Sequence, residues 1–472
     1  MTAKRQATTQ DRPNILLYCT DQQRFDTIGA LGNPYVQTPT LDKLVSNGVA
    51  FTHSYCQSPI CTPSRSSFMT GMYPSRIHNN RNGNEEWPNH PPLISKLLAD
   101  GGYSCGLVGK FHLQSSGYRT EPRLDDGFNY WKFSHAPRDD WQTGHDYADW
   151  VKAKGGDLTA LRDSEEKVPS EFHQTTWITD CALDFIEMQT EPWFLILNPY
   201  DPHPPFIPPK SYADRFDPIT LPGPHFEEND LRQQEDLKEV AFQTLAEHPD
   251  SFEGKKQQAL YYAMIAQIDD QFGRLLEGMA SLKQLDNTVI IFCSDHGEML
   301  GDHGLLFKGC RFYEGLVRVP LIISWPARFK TDMQSDALVE LLDMSATILD
   351  IAGIAAPEAM QGKSLLPILA GEQTLDHHRD FVRCEYFDAL DTSFVQGSLS
   401  YGTMYRNRRY KLVLYHSHNL GEVYDLETDP WEHHNLWHES EHQALKHQLI
   451  QESFNATMMQ SIDLGSRRIA PM

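Results

Sequence analysis

The chain has 472 residues, enough for about three domains of roughly 150 residues or for one large α/β domain with an appendage. Hydrophobic residues make up 40% and charged residues 22%, with 30 Gly and 29 Pro spread along the chain, which excludes collagen-like, disulfide-scaffold and wholly disordered classes. Lys and Arg total 41 against 64 Asp and Glu, a net charge of −23, so the summed field repels nucleic acid and anionic membranes, and any anion-binding groove has to be local.

The segment Met1 to Arg12 is polar and lacks an apolar core of signal-peptide length, and no later run approaches the eighteen or so apolar residues of a membrane span. As given, the chain is expected in the cytoplasm; a trimmed signal would make it periplasmic or secreted. The run Asn14 to Cys19 reads as a buried strand and leads into Asp21 and Gln22. Tyr103 to Val108 reads the same way and leads into Lys110 and His112. Trp193 to Leu197 precedes Asp201 and His203, and Val289 to Cys293 precedes Asp295 and His296.

Pro320 to Ser324 is a fifth such run. Apolar residues at helical spacing from Lys256 to Leu282, among them Tyr261, Ile265, Ile268 and Phe272, predict a long amphipathic helix. Alternating strands and helices predict an α/β fold with a large, mostly parallel central sheet flanked by helices. In such sheets ligands bind beyond the carboxyl ends of the strands, where the four polar clusters fall. Any one of those clusters is equally well an ordinary polar turn.

Trp141 to Pro169 and Pro218 to Gly254 are charged and weakly periodic, and are expected as surface insertions shaping a substrate mouth. From about Tyr386 the pattern changes to short strands, Thr403 to Tyr405, Lys411 to Tyr415 and Glu422 to Leu426, then a polar helical tail. This predicts a smaller C-terminal subdomain with a short antiparallel sheet, residues 381–472 after a catalytic domain at 12–380.

The eight cysteines are scattered without paired CxxC spacing, resembling neither a disulfide framework nor a zinc site. Cys61 stands apart in the run CTPSRSSFMTGMYPSRI. By residue chemistry alone it is either a thiolate stabilised by Arg65 one turn on or an ordinary buried thiol.

That run resembles the Cys-x-Pro-Ser-Arg signature of the type I sulfatases, in which the cysteine becomes formylglycine. RPNILLYCTDQQRFDTIGALG is similar to the family's opening strand and metal loop, VGKFHL to its Gly-Lys-x-His element, and DPHPPF to its His-Pro-Pro-Phe element. FCSDHGEMLGDHGLLFKGCRFYEGLVRVPLI is similar to its second metal loop and substrate lysine, all in the family's order. The resemblance implies the alkaline-phosphatase-like fold and sulfuric ester hydrolysis.

It further implies that Asp21, Gln22, Cys61, Asp295 and His296 hold a divalent cation, Ca²⁺ first, with Mg²⁺ or Mn²⁺ as alternatives. Gln22 departs from the second Asp of many members, lowering the negative charge around the metal by one. Hydrated formylglycine would attack sulfur in line and expel an alcohol. Arg65 would fix the diol, Lys110 and Lys308 would bind sulfate oxygens, His203 would protonate or polarise the leaving oxygen, and His112 would take the remaining hydroxyl proton and so release sulfate. Glu298, Asp302, His303 and Glu314 are expected in supporting or structural roles.

For the alcohol, His78, Asn80, Arg81 and Arg311 are expected to reach a sugar hydroxyl or carboxylate, and His416 and His418 either line the pocket or lie on the surface. The implied partners are a sulfated small molecule or glycan and a formylglycine-generating maturation enzyme, with no nucleic acid or membrane, and a homo-oligomer is compatible with the sequence. A carbohydrate sulfatase is the first expectation. A phosphonate monoester or phosphodiester hydrolase of the same superfamily, an arylsulfatase, or a silent binding protein with unmodified Cys61 are the alternatives.

Overall fold

Alternate side chains of the first strand, β1 (Asn14–Thr20), serve opposite faces of the central sheet. Ile15, Leu17 and Cys19 join one apolar core and Leu16 and Tyr18 the other, as the period of two along a strand requires. A strand buried on both faces has no polar side to show, so the run is continuously apolar. The computed structural model describes residues 12–461 apart from 89–90, 117–119, 139–143, 191 and 417. The polar stretch ahead of Arg12 and the Trp141 end of the first insertion lie outside these residues.

The remaining strands of this sheet are β2 (Val49–Tyr55), β3 (Ser104–Gly109), β4 (Tyr130–Phe133), β5 (Trp193–Asn198), β6 (Thr288–Ser294), β7 (Arg318–Val319), β8 (Leu321–Ser324) and β9 (Met333–Glu340). Their order is β4-β3-β5-β1-β6-β8-β2-β7, with β9 also paired to β2. From β4 to β6 the neighbours are parallel; β8 runs antiparallel to both β6 and β2. The expected mostly parallel α/β sheet is thus present. The expected long helix is Gly254–Ser281, and it packs Ile268, Phe272, Leu275 and Met279 into the core shared with Leu16 and Tyr18.

A second sheet of four antiparallel strands follows, β10 (Val382–Phe387), β11 (Tyr401–Arg406), β12 (Tyr410–Tyr415) and β13 (Leu420–Asp425), and a helix at Gln443–Ser461 ends the described chain. Among the described residues no helix is long and apolar enough to cross a membrane.

The two insertions differ from expectation. The first contains helices Asp146–Ala153 and Leu158–Asp163, whose Tyr147, Val151 and Leu158 are fully buried. The second buries Val240 and Phe242 and bridges Ser398, Gln396 and Gly309. Both are built into the molecule because a few apolar residues, too sparse to show a period, suffice to anchor each segment.

Candidate active site

The strands β3, β5, β1 and β6 are consecutive and parallel, so their carboxyl ends lie side by side and bring the four polar clusters together. Asp21 and Gln22 leave β1, Lys110 and His112 leave β3, His203 follows β5, and Asp295 and His296 leave β6. Cys61 arrives from another direction, as the first residue of the helix Cys61–Thr70. Unpaired N–H groups and the dipole of a helix N-terminus favour negative charge there.

Arg65, one turn on and 1% exposed, ties this helix to the strand ends. Its Nε donates to Asp295 Oδ2 at 2.9 Å and its Nη1 to the Lys110 carbonyl at 3.1 Å. The second oxygen of Asp295 accepts the N–H groups of Gln22 and His296, each at 2.9 Å. Asp21, fully buried, pairs with Lys110 Nζ. Burial opposes its charge, but Lys110, with His203 and Arg65, outweighs burial and holds its carboxyl at about 2.

Around Cys61 Sγ lie His296 Nε2 at 3.1 Å, Lys308 Nζ at 2.9 Å and Asp21 Oδ1 at 3.8 Å. Burial raises the thiol's pKa, yet Lys110, Lys308 and His296 together hold it well below the usual thiol range. His296 Nδ1 lies 2.8 Å from the Gly297 carbonyl. A carbonyl oxygen only accepts, so Nδ1 carries a proton and Nε2 is the ring nitrogen that faces the thiol. The same logic fixes His203, whose Nδ1 meets the Pro204 carbonyl at 2.7 Å and whose Nε2 faces Lys308 Nζ at 3.2 Å.

This donor set fits a divalent cation. The ligand atoms of Asp21, Cys61, Asp295 and His296 lie within 4.8 Å of one another. Gln22 adds an amide oxygen, because its NH₂ is spent on Glu298 and its Oε1 turns inward. The ammonium of Lys308 sits among these atoms, 2.8 Å from Gln22 Oε1 and 3.3 Å from His296 Nε2, marking a place that attracts positive charge.

The site opens into a cavity of 800 Å³ lined by Cys61, Lys110, His112, His203 and Lys308. His112 is nearly buried, and burial together with Lys110 lowers its pKa to about 4. Arg81 stands at the cavity rim in an ion pair with Asp388 at 3.1 Å.

Three expected substrate contacts, Arg311, His78 and Asn80, do not line this cavity. Arg311 is 2% exposed and spends its guanidinium on Gln234 Oε1 at 3.0 Å and on the carbonyls of Leu237 and Cys310. His78 terminates the short helix Pro74–Ile77 in a left-handed conformation and lines a separate cavity with Arg76, Arg383 and His416. His418 bonds Ser400 Oγ at 3.2 Å and is likewise away from the site.

The cavity also takes residues that no motif marks, namely Asn82, Asn84, His135, Tyr200, Gln243 and Phe394. Tyr200 was one residue from a recognised motif and the two asparagines adjoin Arg81, so proximity was a usable signal. His135 and Gln243 carry none.

A family model described as Sulfatase matches residues 13–354, and one described as N-sulphoglucosamine sulphohydrolase, C-terminal, matches 301–459. An arylsulfatase of Clostridium perfringens is 30% identical over 455 residues, covering 91% of each chain. An N-acetylglucosamine-6-O-sulfatase of Bacteroides thetaiotaomicron is 27% identical over 503 residues, covering 93% of this chain and 85% of that one. Among solved structures, a phosphonate monoester hydrolase of Agrobacterium radiobacter superposes with a TM-score of 0.80 over 96% of each chain at 24% identity, a likeness of fold. With the strand-end cluster around Cys61 and these matches over most of its length, the chain belongs to the sulfatase family, sulfuric ester hydrolases of the alkaline-phosphatase-like superfamily.

Proposed function

We propose that the chain removes sulfate from a sulfated carbohydrate, with Cys61 matured to formylglycine and Ca²⁺ held by Asp21, Gln22, Asp295 and His296. The observation that carries this reading is the position of Cys61, at a helix N-terminus between the cation-binding donors and a cavity of 800 Å³. Two carboxylates and an amide oxygen favour a hard cation, with Mg²⁺ or Mn²⁺ as substitutes. Bound there, the cation supplies Lewis-acid charge, and hydrated formylglycine supplies a hydroxyl nucleophile.

The chain's own groups do the rest. Lys110 and Lys308 neutralise the sulfate oxygens inside a protein of net charge −23. Arg65 orients residue 61 through the helix and Asp295. Lys308 and His203, hydrogen-bonded to each other, hold a proton beside the leaving oxygen. His112, neutral above about pH 4, accepts the proton whose loss releases sulfate. The polar rim, with Asn82, Asn84 and Arg81, suits a hydroxylated alcohol, and the similarity to an N-acetylglucosamine-6-O-sulfatase supports the same class.

The test is kcat/KM on a hexosamine sulfate, an aryl sulfate and the matching phosphonate monoester, using protein coexpressed with a formylglycine-generating enzyme. The sugar sulfate is expected to lead, and Cys61→Ala to lose about 10³-fold or more in kcat without unfolding. A phosphonate preference would reassign the substrate, in line with the neutral Gln22. Full turnover by folded Cys61→Ala would remove the nucleophile assignment.

A further inference from the structure

Away from the active-site cavity, three distant parts of the chain meet at Asp230, His303 and His433. Asp230 belongs to the helix Glu228–Asp236 of the second insertion, His303 to the turn Asp302–Gly304 after β6, and His433 to the segment following β13. Oδ1 of Asp230 lies 3.3 Å from His303 Nδ1 and 3.1 Å from His433 Nδ1. The two imidazole ring centres are 5.2 Å apart, and all three ligand atoms fall within 4.8 Å of one another.

These separations match ligands arranged around one tetrahedral ion. Bonds of about 2.0–2.1 Å at tetrahedral angles put donor atoms about 3.3 Å apart and nitrogen-bound ring centres about 5 Å apart.

The surroundings build the site. Oδ2 of Asp230 accepts the Glu227 N–H at 2.8 Å, which closes the helix cap, and lies 3.0 Å from His433 Nδ1, while Oδ1 is within reach of both imidazoles. His303 has a left-handed backbone, φ 54°, its N–H donates to the His225 carbonyl at 3.0 Å, and its ring stacks on Tyr313 with centres 3.8 Å apart. The ring is therefore held in place from both ends.

Charge points the same way. Asp230 is 1% exposed, and among the described residues its ion pairs are with these two imidazoles. The carboxylate brings negative charge into a buried setting beside two imidazole nitrogens, a donor set whose charge a bound cation would neutralise. His433, 13% exposed, leaves an approach for water as a fourth ligand.

We propose that Asp230, His303 and His433 form a zinc site, distinct from the active-site cation cluster. It fastens the insertion helix and the C-terminal segment to the loop that carries Lys308.

The experiment is equilibrium dialysis of the full chain against Zn²⁺, with bound metal counted by mass spectrometry for wild type, His433→Ala and His433→Gln. Wild type is expected to retain one zinc per chain more than either variant, all three giving the same circular dichroism spectrum. Equal zinc in all three overturns the site. Co²⁺ titration of the wild type is the second measurement, independent of any variant's folding. Strong visible absorption of tetrahedral Co²⁺ is expected, and its absence overturns the proposal.

Discussion

Glu121 accepts three consecutive backbone N–H groups, those of His112, Leu113 and Gln114, at 2.6, 2.5 and 2.7 Å. The loop needs this anchor because His112 takes a left-handed conformation, φ 57°, which a non-glycine residue keeps only when its surroundings over-determine it. Glu121→Gln turns one acceptor into a donor and leaves a buried N–H unmet, at a cost of about 1–3 kcal/mol. The expected result is a lower Tm and a fall of about tenfold in kcat with KM little changed, since Lys110 and Lys308 stay in place. Steady-state kinetics and a melting curve check it; unchanged kcat would mean that His112 needs no such support. At this scale residue type was informative only where a motif set its context. Arg311, three residues past Lys308, was expected beside the substrate, yet its guanidinium faces the other way and donates to the Leu237 and Val240 carbonyls of the insertion. Sequence distance says nothing about the direction of a side chain in an irregular loop.

Gly109, the last residue of β3, shows what element pairing demands. A Cβ there would lie 2.1 Å from the Asn198 carbonyl oxygen of β5, and φ is +107°. The same juncture is fastened by the Lys110 N–H to the Asn198 carbonyl at 2.9 Å and by the Asn198 amide to the Lys110 carbonyl at 2.6 Å. Gly109→Ala therefore has to part the two strands where they deliver Lys110. Expected are a Tm lower by several degrees and a loss of tenfold or more in kcat/KM; wild-type values in both would contradict the close approach. The apolar runs at β1, β3, β5, β6 and β8 were legible because strands buried on both faces read as continuous hydrophobic stretches. β2 (VAFTHSY) and β9 (MQSDALVE) were not, since each mixes polar residues into half its length. Their pairing with each other, parallel and with a register shift between Phe51 and His53, is a tertiary fact.

For the whole molecule, the net charge of −23 and the cationic cluster of Arg65, Lys110 and Lys308 act over different distances. Far from the protein an anionic substrate is repelled; inside the cavity it meets the lysines. Salt screens the long-range repulsion over a Debye length of about 10 Å at 0.1 M and leaves buried contacts largely intact. Raising ionic strength from about 10 to 150 mM is therefore expected to increase kcat/KM for a sulfate ester by about two- to fivefold, through the association step. A steep decrease with salt would show that the cavity's positive field reaches into solvent and governs capture.

By itself the sequence determined the family, the class of fold and which polar residues follow each central strand. Each of these is written in short contiguous stretches, a strand followed by its loop or a helix start followed by its arginine. Local spacing survives folding, so such stretches can be read directly. Only the tertiary structure decided which loops meet. The order β3-β5-β1-β6 places four strand ends in one row. The loop between β10 and β11 and the second insertion close around them, and residues with no local signature, His135 and Gln243 among them, complete the cavity. Those meetings depend on long-range packing and on the orientation of irregular loops, which follow from how buried surfaces fit together rather than from any period along the chain.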